Sequence, residues 1–582
     1  MARHSEFEND MLADDKKDMI TAGGAILGRL KAVGVDYIFA NSGTDFPPII
    51  EGLAEASAKH IALPQAIVIP HESAAMGMAH GYFLATGRAQ AVMAHTNVGL
   101  ANCAMGAINA ATEHVPIILF SGRTPVTERG RLGSRTVPIG WGQEMRDQTA
   151  LVREATKWDY ELKFPEQALE LVDRAYAITC STPKGPVYLS LPREALCELC
   201  PSGNLGAPSR IKPVIAAPPA RLLVEAASVL ARAERPVIIA QRGAGSPEGF
   251  AALADMALAW GIPVVQYWAV QLAIASDHPM SVGSDPESWL KDADVIVVID
   301  SLAPWSPAAH EIPEHCKVIQ AGPDPLYSRF PVRNFCADLS LVGETADVIC
   351  SLAVAMETYL ARTTQLRNAR RARVADASRT ARVAVHARAE AGGGDLMTKE
   401  WVSHCLSDAI DGQNATVLSE LGCPLDPLTL HEHGSWYQEP HSGGLGWSFP
   451  CALGMQLADP DKLIVATMGD GSYMFSNPVA CHQIAEALNL PLLVLVLNNS
   501  EWGAVRRSVL EVYPHGYASR TNAMPLISLE PTPDFTKVAQ ASRAFTIRVE
   551  KGPELPGALK EAIGHVRNQR THALIEIRIA PT

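Results

Sequence analysis

The chain has 582 residues, a length that accommodates several domains of about 100 to 200 residues and excludes a single small binding module. Hydrophobic residues make up 47% and charged residues 19%, too much apolar material and too little charge for a disordered chain. The 49 Lys and Arg against 62 Asp and Glu leave a net charge of −13, and no basic block is interleaved with aromatics, which excludes nucleic acid as an expected partner.

Residues 1–19 are rich in Asp, Glu and Lys and lack the apolar core of a secretory signal. The longest apolar runs, such as residues 492–497, fall far short of the roughly 20 residues that cross a bilayer. A cytoplasmic protein with no membrane partner is therefore expected. The 11 cysteines, spread from Cys103 to Cys481, read as reduced core thiols rather than a disulfide framework. Cys197 and Cys200 form a C-x-x-C pair, but no second pair of zinc ligands follows it.

Short β-branched runs alternate with longer Ala-rich stretches of helical period. Strands are predicted at residues 37–40, 91–94, 117–121, 187–191, 237–240, 263–267, 295–300, 317–321, 463–467, 492–497 and 573–579. This is the pattern of an α/β fold with doubly wound parallel sheets covered by helices on both faces. Residues 201–220 carry repeated Pro, Gly and Ala and read as a linker. An Arg/Ala-rich stretch, 367–388, reads as a solvated helix ending in a hinge at Gly392 to Gly394. The expected organisation is an N-terminal domain at 1–200, a linker at 201–220, a central domain at 221–365, a linker at 366–396 and a C-terminal domain at 397–582. No internal repeat is visible among them.

Polar motifs punctuate this frame. The turn Asn41-Ser42-Gly43-Thr44-Asp45 follows the first strand, and His71-Glu72 opens a small-residue helix over 73–87. Glu72 could simply complement the positive end of that helix, and His95, at the end of the strand 91–94, could be structural or could move protons near neutral pH. After the strand 237–240, Arg242-Gly243-Ala244-Gly245 lacks the third glycine and partner acid of a dinucleotide loop. His431-Glu432-His433 suits pocket lining better than metal ligation, because the following Gly434 suggests a loop. His441 to Gly446 forms a glycine loop.

The strongest local signal is Gly469-Asp470-Gly471 directly after the strand 463–467, followed by a helical stretch at 478–488, the strand 492–497 and Asn498-Asn499. Glycines between a strand and a helix let backbone N–H groups approach a phosphate, and the helix N-terminus favours negative charge. Asp470 and Asn499 lie at the carboxyl ends of two strands, where α/β sheets bind ligands. A carboxylate with an amide oxygen is a hard-oxygen set suited to Mg²⁺ or Ca²⁺ bridging a diphosphate.

With these motifs the sequence resembles the thiamine-diphosphate (ThDP) enzymes of the pyruvate oxidase, acetolactate synthase and benzoylformate decarboxylase group. His95 to Asn102, Ala104-Met105-Gly106, Asn109-Ala110, Lys157-Trp158 with Tyr160, and Gly503-Ala504 after the Asn pair are most similar to the benzoylformate decarboxylase branch. The resemblance implies a ThDP-binding fold of three domains. ThDP would be held by Glu72, Gly443, Leu445, Gly469, Asp470, Gly471, Ser472 and Asn499, and Mg²⁺ by Asp470, Asn499 and the carbonyl of Glu501. In relatives an apolar residue at the Leu445 position wedges beneath the cofactor. Glu72 would activate the cofactor, His95 would serve the substrate, and Thr44 would match a substrate-contacting residue in the family's Gly-x-Pro-Gly-x turn. Here Ser42 replaces the usual Pro, which leaves Asp45 as the neighbouring alternative to Thr44. His71, Asn102, Trp305 and His310 are candidate substrate contacts. FAD or another nucleotide in the central domain, as in some relatives, is not favoured.

The implied activity is C–C cleavage of a 2-oxo acid or related ketone through an enamine intermediate, as a decarboxylase or lyase. An acetolactate-synthase-like carboligase is the alternative, and a non-catalytic regulator of this fold is a remote one. Sites shared between the N-terminal domain of one subunit and the C-terminal domain of another would make the protein at least a homodimer and typically a homotetramer.

Overall fold

Aliphatic runs buried on both faces form the central strands of three parallel sheets, because helices cover each sheet above and below. The computed structural model describes residues 19–202 and 205–581; the acidic segment 1–18, expected not to be a secretory signal, lies outside them. The chain divides into two compact units, one ending at Val214 and the other starting at Ile215.

In the first unit six parallel strands lie side by side in the order Gln65–Val68, Tyr37–Ala40, Gln90–Ala94, Ile117–Arg123, Val187–Pro192 and Asp159–Glu161. An antiparallel pair, Met19–Thr21 with Leu199–Pro201, ties the two ends of the unit together. The second unit contains two sheets. One runs Val264–Val265, Pro236–Ala240, Val295–Ile299, Lys317–Gly322 and Leu339–Val342. The other runs Trp436–Gln438, Ala415–Glu420, Leu463–Gly469, Leu493–Asn498, Ala573–Arg578 and Phe545–Val549. All of their strand pairings are parallel.

A repeat invisible in the sequence emerges from this order. Counting strands along the chain within each sheet, both six-stranded sheets run 2-1-3-4-6-5, and the central sheet runs 2-1-3-4-5. The repeat is one of connectivity, which many sequences satisfy provided their burial alternates in the same way. In each sheet the order reverses between the first and third strands, leaving a crevice at their carboxyl ends.

All of the strands expected from the sequence form. Those the sequence pattern missed are mostly sheet edges: Gln65–Val68, Asp159–Glu161, Leu339–Val342, Trp436–Gln438, Phe545–Val549 and both strands of the pair Met19–Thr21 and Leu199–Pro201. An edge strand is paired and buried on one side only, so it needs fewer aliphatic residues. The exception is Ala415–Glu420, an inner strand buried throughout that ends in Ser419 and Glu420.

The Arg-rich segment forms the expected, mostly solvent-exposed helix, but its inner face is packed rather than free. It is a 28-residue helix, Thr364–Ala391, packed on the central domain. Arg367 and Arg371 donate to the carbonyls of Ala259 and Leu258 at the end of the helix Pro247–Trp260, and the buried Arg370 donates to Ala233 beyond the helix Ala220–Arg232. These guanidinium groups satisfy carbonyls that a helix end leaves without partners. The glycine run that follows is a packed corner rather than a hinge. A Cβ on Gly392 would lie 2.1 Å from Thr398 Oγ1, and one on Gly393 would lie 2.9 Å from the Trp401 ring. All 11 cysteines are free thiols. Among the described residues no helix is long and apolar enough to cross a membrane.

Gly261 ends the helix Pro247–Trp260 with φ +60°, and a Cβ there would sit 2.5 Å from the Arg371 nitrogen. Gly261→Ala is expected to destabilise the protein by about 1 to 3 kcal/mol, read as a lower urea midpoint in far-UV circular dichroism.

Candidate active site

In the first unit, the turn after Tyr37–Ala40 and the helix start after Gln90–Ala94 meet at the crevice where strand order reverses. Asp45 is buried there. Its Oδ1 lies 2.5 Å from His95 Nδ1, and its Oδ2 accepts the Thr96 N–H at 3.2 Å. The opposite ring nitrogen, His95 Nε2, lies 3.1 Å from Gln143 Nε2. The hydrogen bond to Asp45 raises the His95 pKa, and the charges of Asp45 and Glu72 add to that against the opposing effect of burial. Thr96 adopts φ +39°, a left-handed conformation costly for a β-branched residue.

Glu72 begins the helix Glu72–Thr86 and is buried, and Asn102 Nδ2 donates to its Oε2 at 3.0 Å. Three glycines make room for these groups. A Cβ on Gly43 would lie 2.1 Å from the His95 ring, one on Gly122 would lie 1.6 Å from Asp45 Oδ2, and one on Gly99 would lie 2.7 Å from Glu72 Oε1. The site is therefore shaped around His95, Asp45 and Glu72.

The other residues expected here are placed differently. Thr44 is exposed, and its carbonyl accepts from Arg193; the structure brings Asp45, not Thr44, to His95. His71 Nδ1 bonds to Ser73 Oγ at 2.7 Å as the cap of its own helix. Gln143 escaped sequence reasoning because a lone glutamine in a loop carries no motif.

In the second unit, the corresponding crevice lies between Ala415–Glu420 and Leu463–Gly469. Asp470, buried at the start of the helix Asp470–Phe475, accepts the Gly471 N–H at Oδ1 (2.9 Å) and the Ser500 N–H at Oδ2 (2.8 Å). Burial pushes its pKa up to about 6 against those hydrogen bonds. Asn499 Oδ1 accepts the Glu501 N–H at 3.2 Å, and the Glu501 carbonyl accepts the Gly503 N–H at 2.9 Å. The Glu501 carboxylate pairs with Arg506 Nε at 2.9 Å. Ser472 is buried, Leu445 is half-buried, and Gly443 has φ +69°. A Cβ on Gly443 or Gly469 would meet open space, whereas one on Gly471 would lie 2.3 Å from the Trp502 ring.

The donor set fits a Mg²⁺-diphosphate group. Asp470 is a buried carboxylate whose ionisation burial opposes, so a divalent cation would stabilise its charged form. The open faces of Gly443 and Gly469 leave backbone accessible to a ligand. Among the described residues no group of three or more His, Cys, Asp or Glu could hold a metal, so the carboxylate, amide and carbonyl set stands without a competing cluster.

A cavity of about 560 Å³ opens beside this crevice, lined by Leu421, Gly422, Lys399, Glu439, Trp268 and His310, among others. His310 Nδ1 accepts the Ser306 N–H, and its ring meets Tyr267 edge-on at 5.6 Å. Trp305 is instead buried in the central-domain core, edge-on to Phe335 at 5.2 Å. His431 is exposed against Asp277, and His433 meets Phe250 edge-on at 6.1 Å. The loop after Pro236–Ala240 places Arg242 in a buried cluster, 2.9 Å from the Tyr327 hydroxyl and 3.3 Å from Asp300.

Sequence models of the thiamine pyrophosphate enzyme family match all three parts of the chain: the N-terminal TPP-binding domain at residues 20–151, the central domain at 223–352 and the C-terminal TPP-binding domain at 424–577. A probable 2-ketoarginine decarboxylase of Pseudomonas aeruginosa is 26% identical over 96% of this chain and 94% of its own. A probable acetolactate synthase large subunit of Methanocaldococcus jannaschii is 25% identical over 93% of this chain and 89% of its own. The crystal structure of benzoylformate decarboxylase from Polynucleobacter necessarius superimposes with a TM-score of 0.77 at 20% identity, covering 97% of this chain and 99% of that one. With its three sheets, the crevice in each and matches to every domain, the chain belongs to the thiamine pyrophosphate enzyme family, where its relatives include a probable decarboxylase and a probable acetolactate synthase.

Proposed function

We propose that this protein uses ThDP and Mg²⁺ to cleave the C–C bond of a 2-oxo acid or related ketone, as a decarboxylase or lyase. The observation that carries the reading is that Glu72 and His95 on one sheet, and Asp470 and Asn499 on another, all emerge at the carboxyl-end crevices of sheets with the same strand order. A cytoplasmic protein, at least a homodimer and typically a homotetramer, accompanies this proposal.

When bound, ThDP supplies an acidic C2 carbon and an electron sink for the bond that breaks. Asp470, Asn499 and the Glu501 carbonyl would hold the metal, and the backbone at Gly469 and Gly471 with Ser472 would hold the diphosphate. Glu72, its carboxyl fixed by Asn102, would exchange a proton with the cofactor in its activation. Asp45 engages His95 Nδ1, so proton transfer to and from substrate falls to Nε2. By favouring the imidazolium, Asp45 keeps His95 competent as an acid to higher pH than an isolated histidine.

A carboligase reading stands beside this one, because the acetolactate synthase relative is 25% identical against 26% for the decarboxylase. Incubation with pyruvate and with aromatic 2-oxo acids, with aldehydes resolved from acyloins, separates the two.

At a hundredfold excess over Kd, ThDP with Mg²⁺ is expected to stabilise the protein by about 2.7 kcal/mol, and no shift of the thermal midpoint would remove the cofactor from the reading. Glu72→Gln is expected to keep the wild-type circular dichroism spectrum while turnover falls at least about 100-fold; near-normal turnover would overturn its role. His95 has its pKa raised by Asp45, so the protonated acid is present at low pH and lost as pH rises through that value. Asp45→Asn is therefore expected to move the alkaline limb of kcat/KM to lower pH, and an unmoved limb would separate His95 from proton transfer.

A further inference from the structure

Resting on the ThDP reading, one buried side chain outside the expected set bears on how the second-unit site is held. Glu420 ends the inner strand Ala415–Glu420, beside Met468 of the neighbouring strand, and is wholly buried at the crevice. Its Oε1 accepts the Gly446 N–H at 2.5 Å, and its Oε2 accepts the Ser448 N–H at 2.7 Å. The Trp447 N–H and the Ser472 hydroxyl oppose the rise that burial gives its pKa. The backbone donors belong to the turn that follows Leu445 and to the start of the helix Ser448–Ala458, whereas Ser472 belongs to the helix that Asp470 begins. A single carboxyl group thus holds one loop expected to grip the cofactor, from a strand paired with the one that leads into the other loop at Asp470.

The packing agrees. Gly446 adopts φ +83°, and a Cβ there would lie 2.5 Å from the Phe475 carbonyl, so the turn after Leu445 presses directly on the end of the Asp470–Phe475 helix. Backbone contact alone leaves two loops free to slide along one another. A buried carboxyl fixed on the strand beside Met468 and bonded to the turn sets their register, because moving the turn would leave the Gly446 and Ser448 N–H groups unpaired.

We propose that Glu420 is a positioning residue that locks the Gly443–Leu445 loop to the Asp470–Ser472 loop before the cofactor arrives, so that ThDP enters a site already formed. Preorganisation lowers the ordering cost of binding, so the loss should appear mainly in cofactor affinity.

Glu420→Gln has the same shape, but its amide turns an NH₂ towards either the Gly446 or the Ser448 N–H, so the turn after Leu445 loses one of its two bonds whichever way it lies. The experiment compares the purified full-length wild type and variant. ThDP binding with Mg²⁺ is measured by isothermal titration calorimetry, kcat at saturating ThDP with the best 2-oxo acid substrate, and hydrogen exchange at residues 443–448 without cofactor. The expected result is ThDP binding at least about tenfold weaker, equivalent to about 1.4 kcal/mol, a smaller loss of kcat, and faster exchange at Gly446 and Ser448. A variant that is less stable yet binds ThDP as tightly as wild type would make Glu420 merely structural and overturn the proposal. If Glu420→Gln does not fold, Glu420→Asp, one methylene too short to hold the turn from its strand, carries the same expectation and the same refutation. Failure of the wild-type protein itself to bind ThDP would overturn the cofactor reading and this inference together, whereas wild-type binding with unaltered variant affinity overturns the inference alone.

Discussion

A carboxyl group taken out of water must be given donors or lose its charge, and four of them, Asp45, Glu72, Glu420 and Asp470, are buried at the carboxyl ends of the two six-stranded sheets. Each is satisfied locally: Asp45 by His95 and the Thr96 N–H, Glu72 by Asn102, Glu420 by the N–H groups of Gly446 and Ser448, and Asp470 by the N–H groups of Gly471 and Ser500. The loops of both sites take their shape from meeting that demand. Where donors do not fully offset burial, the carboxyl is held towards its neutral form, with Glu420 pushed up to about 7 and the half-buried Glu439, beside the Glu420 charge, up to about 8.

Strand order places these groups where a ligand can use them. Successive helices pack on opposite faces of a sheet only when the order reverses, and the reversal opens a crevice that loops can line but not fill. The first and third sheets repeat this arrangement and set buried carboxyl groups at it. The central sheet has a reversal of its own, beside which Arg242, Asp300 and Tyr327 form a buried, mutually bonded cluster. One architecture thus supports both reactive loops and a polar core.

Glycine does the complementary work. At Gly43, Gly99 and Gly122 the missing side chain leaves space that His95, Glu72 and Asp45 occupy, while at Gly443 and Gly469 it leaves open space. In the first group the chain's own groups fill the gap; in the second the backbone stays exposed to whatever binds.

Much of this was legible from residue types at short range. Parallel strands announce themselves as aliphatic runs because both faces are buried, and Gly469-Asp470-Gly471 with Asn498-Asn499 reads as a strand-turn-helix site because each step is local. Glu72 was singled out by the motif that opens its helix, and His95 by its place at the end of a predicted strand. Asp45 over Thr44 was not decided, since adjacent residues in a turn differ in direction only once the turn is folded. Trp305 went to the core and His310 to a cavity although they share one loop, and Glu420 carried no motif at all, standing at the end of an unrecognised strand. Sequence alone determined the α/β class, the positions of most inner strands and the polar motifs that follow them, because those depend on neighbours a few positions away. Which polar residues meet, such as Asp45 with His95 and Glu420 with Gly446, and the shared strand order of the first and third sheets were decided only by tertiary structure, because each depends on segments tens to hundreds of residues apart being brought within hydrogen-bonding distance.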